Sequence, residues 1–261
     1  MEDDPSSLLA YRSPGEGRVI PPMNANETRT QFNELGYRIV PNALTAEQVG
    51  AINEALDRDL EKNEWPIRRG DGHLQDANIL LRLPILDITI ESQTVMPIIT
   101  ALLGEVATFD EFSAMIRNPT EEIPEKPAWH RDFKRSEDFP LGIHSLSLVY
   151  YLSDVSETDH CFAVVPRSHN RDIDTEPGKH GPADEVDILG PAGSAVFFHT
   201  ALLHTARLRR GSRQRRTLHI YYGHADTEQI SSHTDIPDRL RKKVDPLLPR
   251  KFYSKQRGNT I

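Results

Sequence analysis

The sequence predicts a mainly β domain, a sandwich or barrel of short antiparallel strands with helices packed on its amino-terminal side. Three observations carry that expectation. From Val106 to His224, short β-like runs follow one another, each bounded by turn-forming residues. The stretches with helical periodicity fall earlier, within residues 26–105. The chain has 261 residues, 37% of them hydrophobic and 27% charged, which suffices for one large core.

The elements follow in order. Residues 1–25 are rich in Pro, Ser, Gly and acid, lack periodicity, and read as a mobile tail. "TRTQFNELG" reads as a short helix stopped at Gly36, and "YRIV" as a short strand. "LTAEQVGAINEALDRDLEKN" is an amphipathic helix with Leu44, Val49, Ile52 and Leu56 at roughly helical spacing. Thr45 is its expected N-cap, and Gln48 three residues on completes a capping box. Residues 66–94 are mixed and support no single assignment. "SQTVMPIITALLG" reads as a helix ended by Gly104. The strand-like runs are "ATFDEFSAMIRN", "HSLSLVYYLSDV", "CFAVVP", "EVDILG", "SAVFFHTALLH" and "TLHIYYGHA". A jelly roll or cupin is one way to close such a set. Residues 26–225 are therefore expected to form one domain, helical over 26–105 and β over 106–225. The remainder, 226–261, is a basic extension with one short helix at "DRLRKK".

Composition narrows the function. A formal net charge of -8 argues against a general nucleic-acid binder. The single cysteine, Cys161, rules out an internal disulfide and suits a reducing, cytoplasmic setting. The acidic amino terminus has no apolar run of the kind a secretory leader needs. The most apolar stretch, "ILLRLPILDITI", is short and interrupted by Arg82 and Pro84, so no membrane span is expected.

The chemistry concentrates at "PAWHRDF". His130 and Asp132 are two positions apart, which on a strand places them on one face. One imidazole and one carboxylate make two-thirds of a facial metal triad, and the third ligand must come from elsewhere. His204, in "GSAVFFHTALLH", is best placed, with His199 its local competitor. A dicarboxylate co-substrate chelating such a metal needs a fixed cation for its far carboxylate, and arginine matches it bidentately. Arg215 lies 11 residues after His204, beside Arg216. Strand alternation sends the two to opposite faces without saying which faces the cavity. The set Arg215, Thr217, His219 and Tyr221 is the more polar, which favours Arg215.

These residues together resemble the phytanoyl-CoA dioxygenase family of Fe(II)/2-oxoglutarate oxygenases. The family's H-x-D stands here as "HRD" at 130–132, followed by "YYLSDVSETDHCFAVVPRSHN" for its strand leading to V-V-P-G-S-H. "GSAVFFHTALLH" at 193–204 matches G-x-x-x-x-(F/W)-x5-H, and that spacing selects His204 over His199. "FNELGYRIVPNALTAEQVGAINEALD" resembles the usual opening, so the likeness covers most of residues 30–225. There are departures: Asp159 and His160 stand where Asn-Gly is common, Arg167 replaces the glycine of P-G-S-H, Ala206 a serine and Arg209 an asparagine.

The resemblance implies a double-stranded β-helix, jelly-roll and cupin-like, holding Fe(II) through His130, Asp132 and His204. It implies 2-oxoglutarate and O2 as co-substrates, with Arg215 on the far carboxylate. Thr217 or Thr205 is a candidate for the missing hydroxyl, and Arg117 for a further basic contact. The expected reaction hydroxylates a small molecule while 2-oxoglutarate becomes succinate and CO2. Asp132 favours hydroxylation over halogenation, since related halogenases carry a small residue there. Substrate contacts are expected from residues 66–80, the loop "DFKRSEDFPLGIHS" and the carboxy-terminal tail, with core positions favoured for Trp129 and Phe133. The arginines at 207–213 read mostly as a solvated turn, with an anion on the substrate the sharper alternative. No nucleic acid or membrane is expected as a partner, and the protein is expected as a monomer or homodimer. The rival readings are a cupin-like metalloprotein of other chemistry, needing no Arg215, and a non-catalytic barrel that retains the site.

Overall fold

The computed structural model describes residues 25–121, 123, 127–133, 143–170, 184–227 and 233–254. The amino-terminal tail to residue 24 and most of the loop after Phe133 lie outside the described residues. Two antiparallel sheets build the core. The larger has seven strands in the order β1 (Tyr37–Val40), β8 (Ala195–His199), β5 (Ser145–Tyr151), β10 (Arg215–His224), β4 (Ala107–Arg117), β3 (His73–Asp76) and β2 (Ile67–Arg68). The smaller has β7 (Val186–Ile188), β6 (Cys161–Val164) and β9 (His204–Arg207). Together they form the double-stranded β-helix.

Alternation along the large sheet gives it two faces. Leu146, Leu148 and Tyr150 of β5, Phe197 of β8, and Leu218, Ile220 and Tyr222 of β10 turn toward the helices and bury there. Val149, Tyr151, Val196 and Phe198 turn the other way and pack on Cys161, Phe162, Val164 and Ile188 of the small sheet. Part of this second face is polar, and the cavity opens there.

The helices cover the first face. α1 (Ala25–Leu35) takes in the last residue assigned to the tail by sequence and stops at Gly36, whose φ is +81°. A Cβ at Gly36 would sit 2.4 Å from His169 Nδ1, so the stop also admits a close neighbour. α2 (Ala46–Lys62) starts with the complete Thr45–Gln48 capping box. The mixed stretch resolves into β2, β3, two turns of 3-10 helix and the short α3 (Asp87–Ile90). α4 (Met96–Leu103) completes the layer. Residues 233–254, including α5 (Asp238–Arg241), fold back onto the same core. Phe252 and Tyr253 bury against β4 and β10, with Phe109 N–H donating to Phe252 C=O at 2.7 Å.

Candidate metal centre

His130 and His204 face each other across an isolated antiparallel bridge, each backbone N–H donating to the other's carbonyl at 3.0 Å. A second clamp follows, with Phe133 N–H donating to Thr200 C=O at 3.0 Å. The H-x-D segment is thus held at both ends without being a regular strand, and Asp132 lies in a bend. The two-residue spacing still works. Arg131 points away and donates to Ser168 C=O at 2.9 Å and to Ala201 C=O, while His130 and Asp132 both line the cavity.

His130, Asp132 and His204 offer three donor atoms within 4.8 Å of one another, and no other such cluster occurs among the described residues. Asp132 Oδ1 lies 3.3 Å from His204 Nε2 and 3.7 Å from His130 Nε2. Bonds of about 2.1 Å to one ion place neighbouring donors roughly 3 Å apart, so the set needs only small adjustment. The tautomers also suit a metal. Nδ1 of His130 faces Ala128 C=O at 3.1 Å, and Nδ1 of His204 faces Leu202 C=O at 2.9 Å. Each ring therefore spends its N–H on the backbone and presents a lone pair at Nε2. Burial, then the neighbouring His204, pushes His130 below the usual histidine range. Burial acts to raise Asp132, but His204, His130 and Tyr221 outweigh it and hold the carboxyl below its usual value. Two imidazoles and one carboxylate are a donor set that would suit a non-haem ferrous ion.

The cavity measures about 240 Å³. Arg215, Thr217, His219 and Tyr221 from β10 line it, as do Met115 and Arg117 from β4 and His73 and Gln75 from β3. Arg215 is buried, and its Nε and Nη1 have no hydrogen-bond partner. A buried guanidinium left open in this way fits an incoming carboxylate. Arg216 points out and donates to Asp57 at 2.6 Å. Arg117 is buried too and pairs with Asp71 at 2.6 Å, while its Nε is unpartnered. Thr217 is buried against the cavity, whereas Thr205 spends its hydroxyl on Ala128 C=O at 3.1 Å.

Other residues take different places. His199 packs beside Phe32 and His169, with its Nδ1 accepting from Ala201 N–H at 3.0 Å, outside the donor cluster. Of the arginines at 207–213, Arg210 and Arg213 are exposed, as a solvated turn requires, while Arg207 and Arg209 are partly buried. Arg207 pairs with Glu185 and Asp187, Arg209 with Asp187, and Arg213 with Asp159 at 2.8 Å. That pairing removes the basis for an anion site there. Asp159, at a position of departure, is held well below the usual carboxylate range, chiefly by its hydrogen bond from Arg213. Arg167 adopts φ +65°, the left-handed conformation that a glycine takes without strain. Trp129 is buried with Ala163, Val165 and Leu203, away from the cavity, and Phe133 is half exposed. His73 and Gln75 carried no signal in the sequence, because β3 falls in the stretch without clear periodicity.

No curated protein sequence matches the chain. Several solved structures share the fold. The non-heme alpha-ketoglutarate-dependent epimerase SnoN from nogalamycin biosynthesis superposes with a TM-score of 0.63 at 19% identity, over 87% of this chain and 93% of that one. The carbocyclase SnoK from the same biosynthesis gives 0.63 at 22% identity, over 87% and 95%. HygX from Streptomyces hygroscopicus, solved with nickel and 2-oxoglutarate bound, gives 0.64 at 15% identity, over 80% and 90%. A family model, that of phytanoyl-CoA dioxygenase (PhyH), matches residues 32–217, a span that takes in the H-x-D segment, His204 and Arg215. The chain belongs to the phytanoyl-CoA dioxygenase family.

Proposed function

We propose that this protein is an Fe(II)/2-oxoglutarate-dependent dioxygenase that hydroxylates a small molecule. The observation that carries the reading is the pairing of the His130–Asp132–His204 cluster with the open, buried Arg215 in one cavity. Ferrous iron with 2-oxoglutarate and dioxygen supplies the oxidising chemistry, turning the keto acid into succinate and CO2 while one oxygen atom enters a substrate C–H bond.

The chain's own residues do the rest. His130, Asp132 and His204 hold the ion through Nε2, a carboxylate oxygen and Nε2. Arg215 binds the far carboxylate of 2-oxoglutarate, and Thr217, two residues along the same face, adds a hydroxyl. Arg117 contributes positive charge to the same end, since it pairs with Arg215 across β4 and β10. Val149, Phe162 and Phe198 wall the cavity and keep water from the reacting centre. The substrate enters from the His130 side, where that ring is half exposed. The setting is cytoplasmic, in keeping with the one buried, free cysteine, and no helix among the described residues is long and apolar enough to cross a membrane.

Succinate production tests the reading. Purified protein given Fe(II), 2-oxoglutarate, ascorbate and candidate small molecules in air should release succinate, and His204→Ala should not. No succinate from iron-loaded protein under any condition contradicts it. Product masses then separate hydroxylation from the epimerisation and ring closure named for the structural relatives.

A further inference from the structure

We infer that Tyr221 is a positioning residue for the metal: its hydroxyl occupies one oxygen of Asp132 and so holds that carboxylate to a single metal-binding oxygen. The inference rests on the proposed metal site.

The two carboxylate oxygens of Asp132 have different partners. Oδ1 faces both imidazoles, at 3.3 Å from His204 Nε2 and 3.7 Å from His130 Nε2. Oδ2 accepts from Tyr221 Oη at 2.9 Å. A phenol is a donor at neutral pH, and its bond to a carboxylate is charge-assisted. Asp132 is nearly buried, so few other donors compete for Oδ2.

The fold aims Tyr221 deliberately. It lies on β10 opposite Glu111 of β4 and Ser147 of β5. Immediately after it the register shifts, with Tyr221 opposite Glu111 but Tyr222 opposite Phe109, so Asp110 is an extra residue on β4. Such bulges re-aim side chains and recur beside functional sites. Here the extra residue re-aims β4, keeping Phe109 and Ala107 in the helical core with Phe112, while plain alternation along β10 sends Tyr222 to that core and Tyr221 to the cavity.

The consequence concerns open coordination positions. A carboxylate that swings to bind through both oxygens takes up a position that a chelating keto acid and dioxygen need. Tyr221 blocks that swing. It also orients the ligand, and losing such an outer partner typically costs about 10- to 100-fold in metal affinity.

The test is anaerobic titration of the apo-protein with Fe(II) and with Co(II), then with 2-oxoglutarate, for wild type and Tyr221→Phe. The expected result is metal affinity at least about 10-fold weaker in Tyr221→Phe, with apo-protein melting and near-ultraviolet circular dichroism unchanged. The Co(II) absorption bands should also shift, reporting the altered carboxylate. If Tyr221→Phe fails to fold, 4-fluorophenylalanine at position 221 fills the hydroxyl's space without donating, and the same loss is expected. Equal metal affinity and identical Co(II) bands in folded variant and wild type overturn the inference while leaving the metal site standing. Wild type that binds no metal overturns both.

Discussion

Two adjacent arginines on β10 have opposite fates, and the difference is measurable. Arg215 is buried with two unpartnered nitrogens, whereas Arg216 makes an outward ion pair with Asp57. Removing one member of a buried charge pair costs about 2–5 kcal/mol, and an exposed pair about 0–1 kcal/mol. Arg215→Ala should therefore raise the 2-oxoglutarate concentration for half-saturation by about 30-fold or more, whereas Arg216→Ala, outside the cavity, should leave it nearly unchanged. Comparable effects from both variants contradict the assignment. His199 offers a second residue-level test. Burial, then the neighbouring His169, pushes it down to about 3, and burial lowers His169 as well. Unfolded histidine titrates near 6.5. Below that pH the unfolded chain takes up protons that the folded one refuses, so stability is full above about 6.5 and declines as pH falls toward 3. Each such histidine contributes a slope of up to about 1.4 kcal/mol per pH unit. Urea midpoints at neutral and mildly acidic pH should differ less in His199→Gln than in wild type, and an unchanged difference counts against this account. From the sequence, motif spacing separated His204 from His199, and the polar character of one β10 face favoured Arg215. Tyr221 stood in that same polar set, but its partner Asp132 is 89 residues away, a contact that periodicity does not reveal.

At the scale of elements, local chemistry was the most legible. α2 was readable from Thr45, Gln48 and its apolar stripe because a capping box is a contact between near neighbours. Thr45→Ala should cost about 1 kcal/mol in urea unfolding, and a cost near zero contradicts a working cap. Gly193 carries a sterner requirement. Its φ is +90°, and a Cβ there would meet Leu44 C=O at 2.5 Å. Gly193 C=O also accepts from Leu44 N–H at 3.0 Å, tying the entry of α2 to the start of β8. Gly193→Ala should destabilise by roughly 2 kcal/mol or more, read as a lowered melting temperature. The H-x-D segment was expected on a strand, yet it is held by one bridge and one bend. Facing one way needs only local alternation, so the conclusion about the side chains survived the loss of the strand. The β4 bulge left no sequence signal, because inserting Asp110 changes register against β10 rather than any local propensity.

At the scale of the molecule, one large sheet serves two purposes. Its apolar face binds the helices, and its mixed face closes against the small sheet to make the cavity. The carboxy-terminal segment belongs to this arrangement. Read as an extension from its charge, it buries Phe252 against Tyr222 and Tyr253, with ring centroids 6.1 and 4.9 Å apart. Phe252→Ala should cost about 3–5 kcal/mol and lower the unfolding midpoint of the whole domain. A loss below about 1 kcal/mol means the segment is not part of the core. Its sequence hid this because a few apolar residues among many charges show no period. As proposed, His130, Asp132 and His204, from two distant segments, make one iron site that accepts a keto acid. Anaerobic addition of Fe(II) and then 2-oxoglutarate, followed by visible absorbance, tests it most directly. A weak charge-transfer band that requires both additions, disappears in His204→Ala and persists in His199→Ala is the predicted result. Bound iron with no band, or a band lost in His199→Ala and kept in His204→Ala, contradicts it.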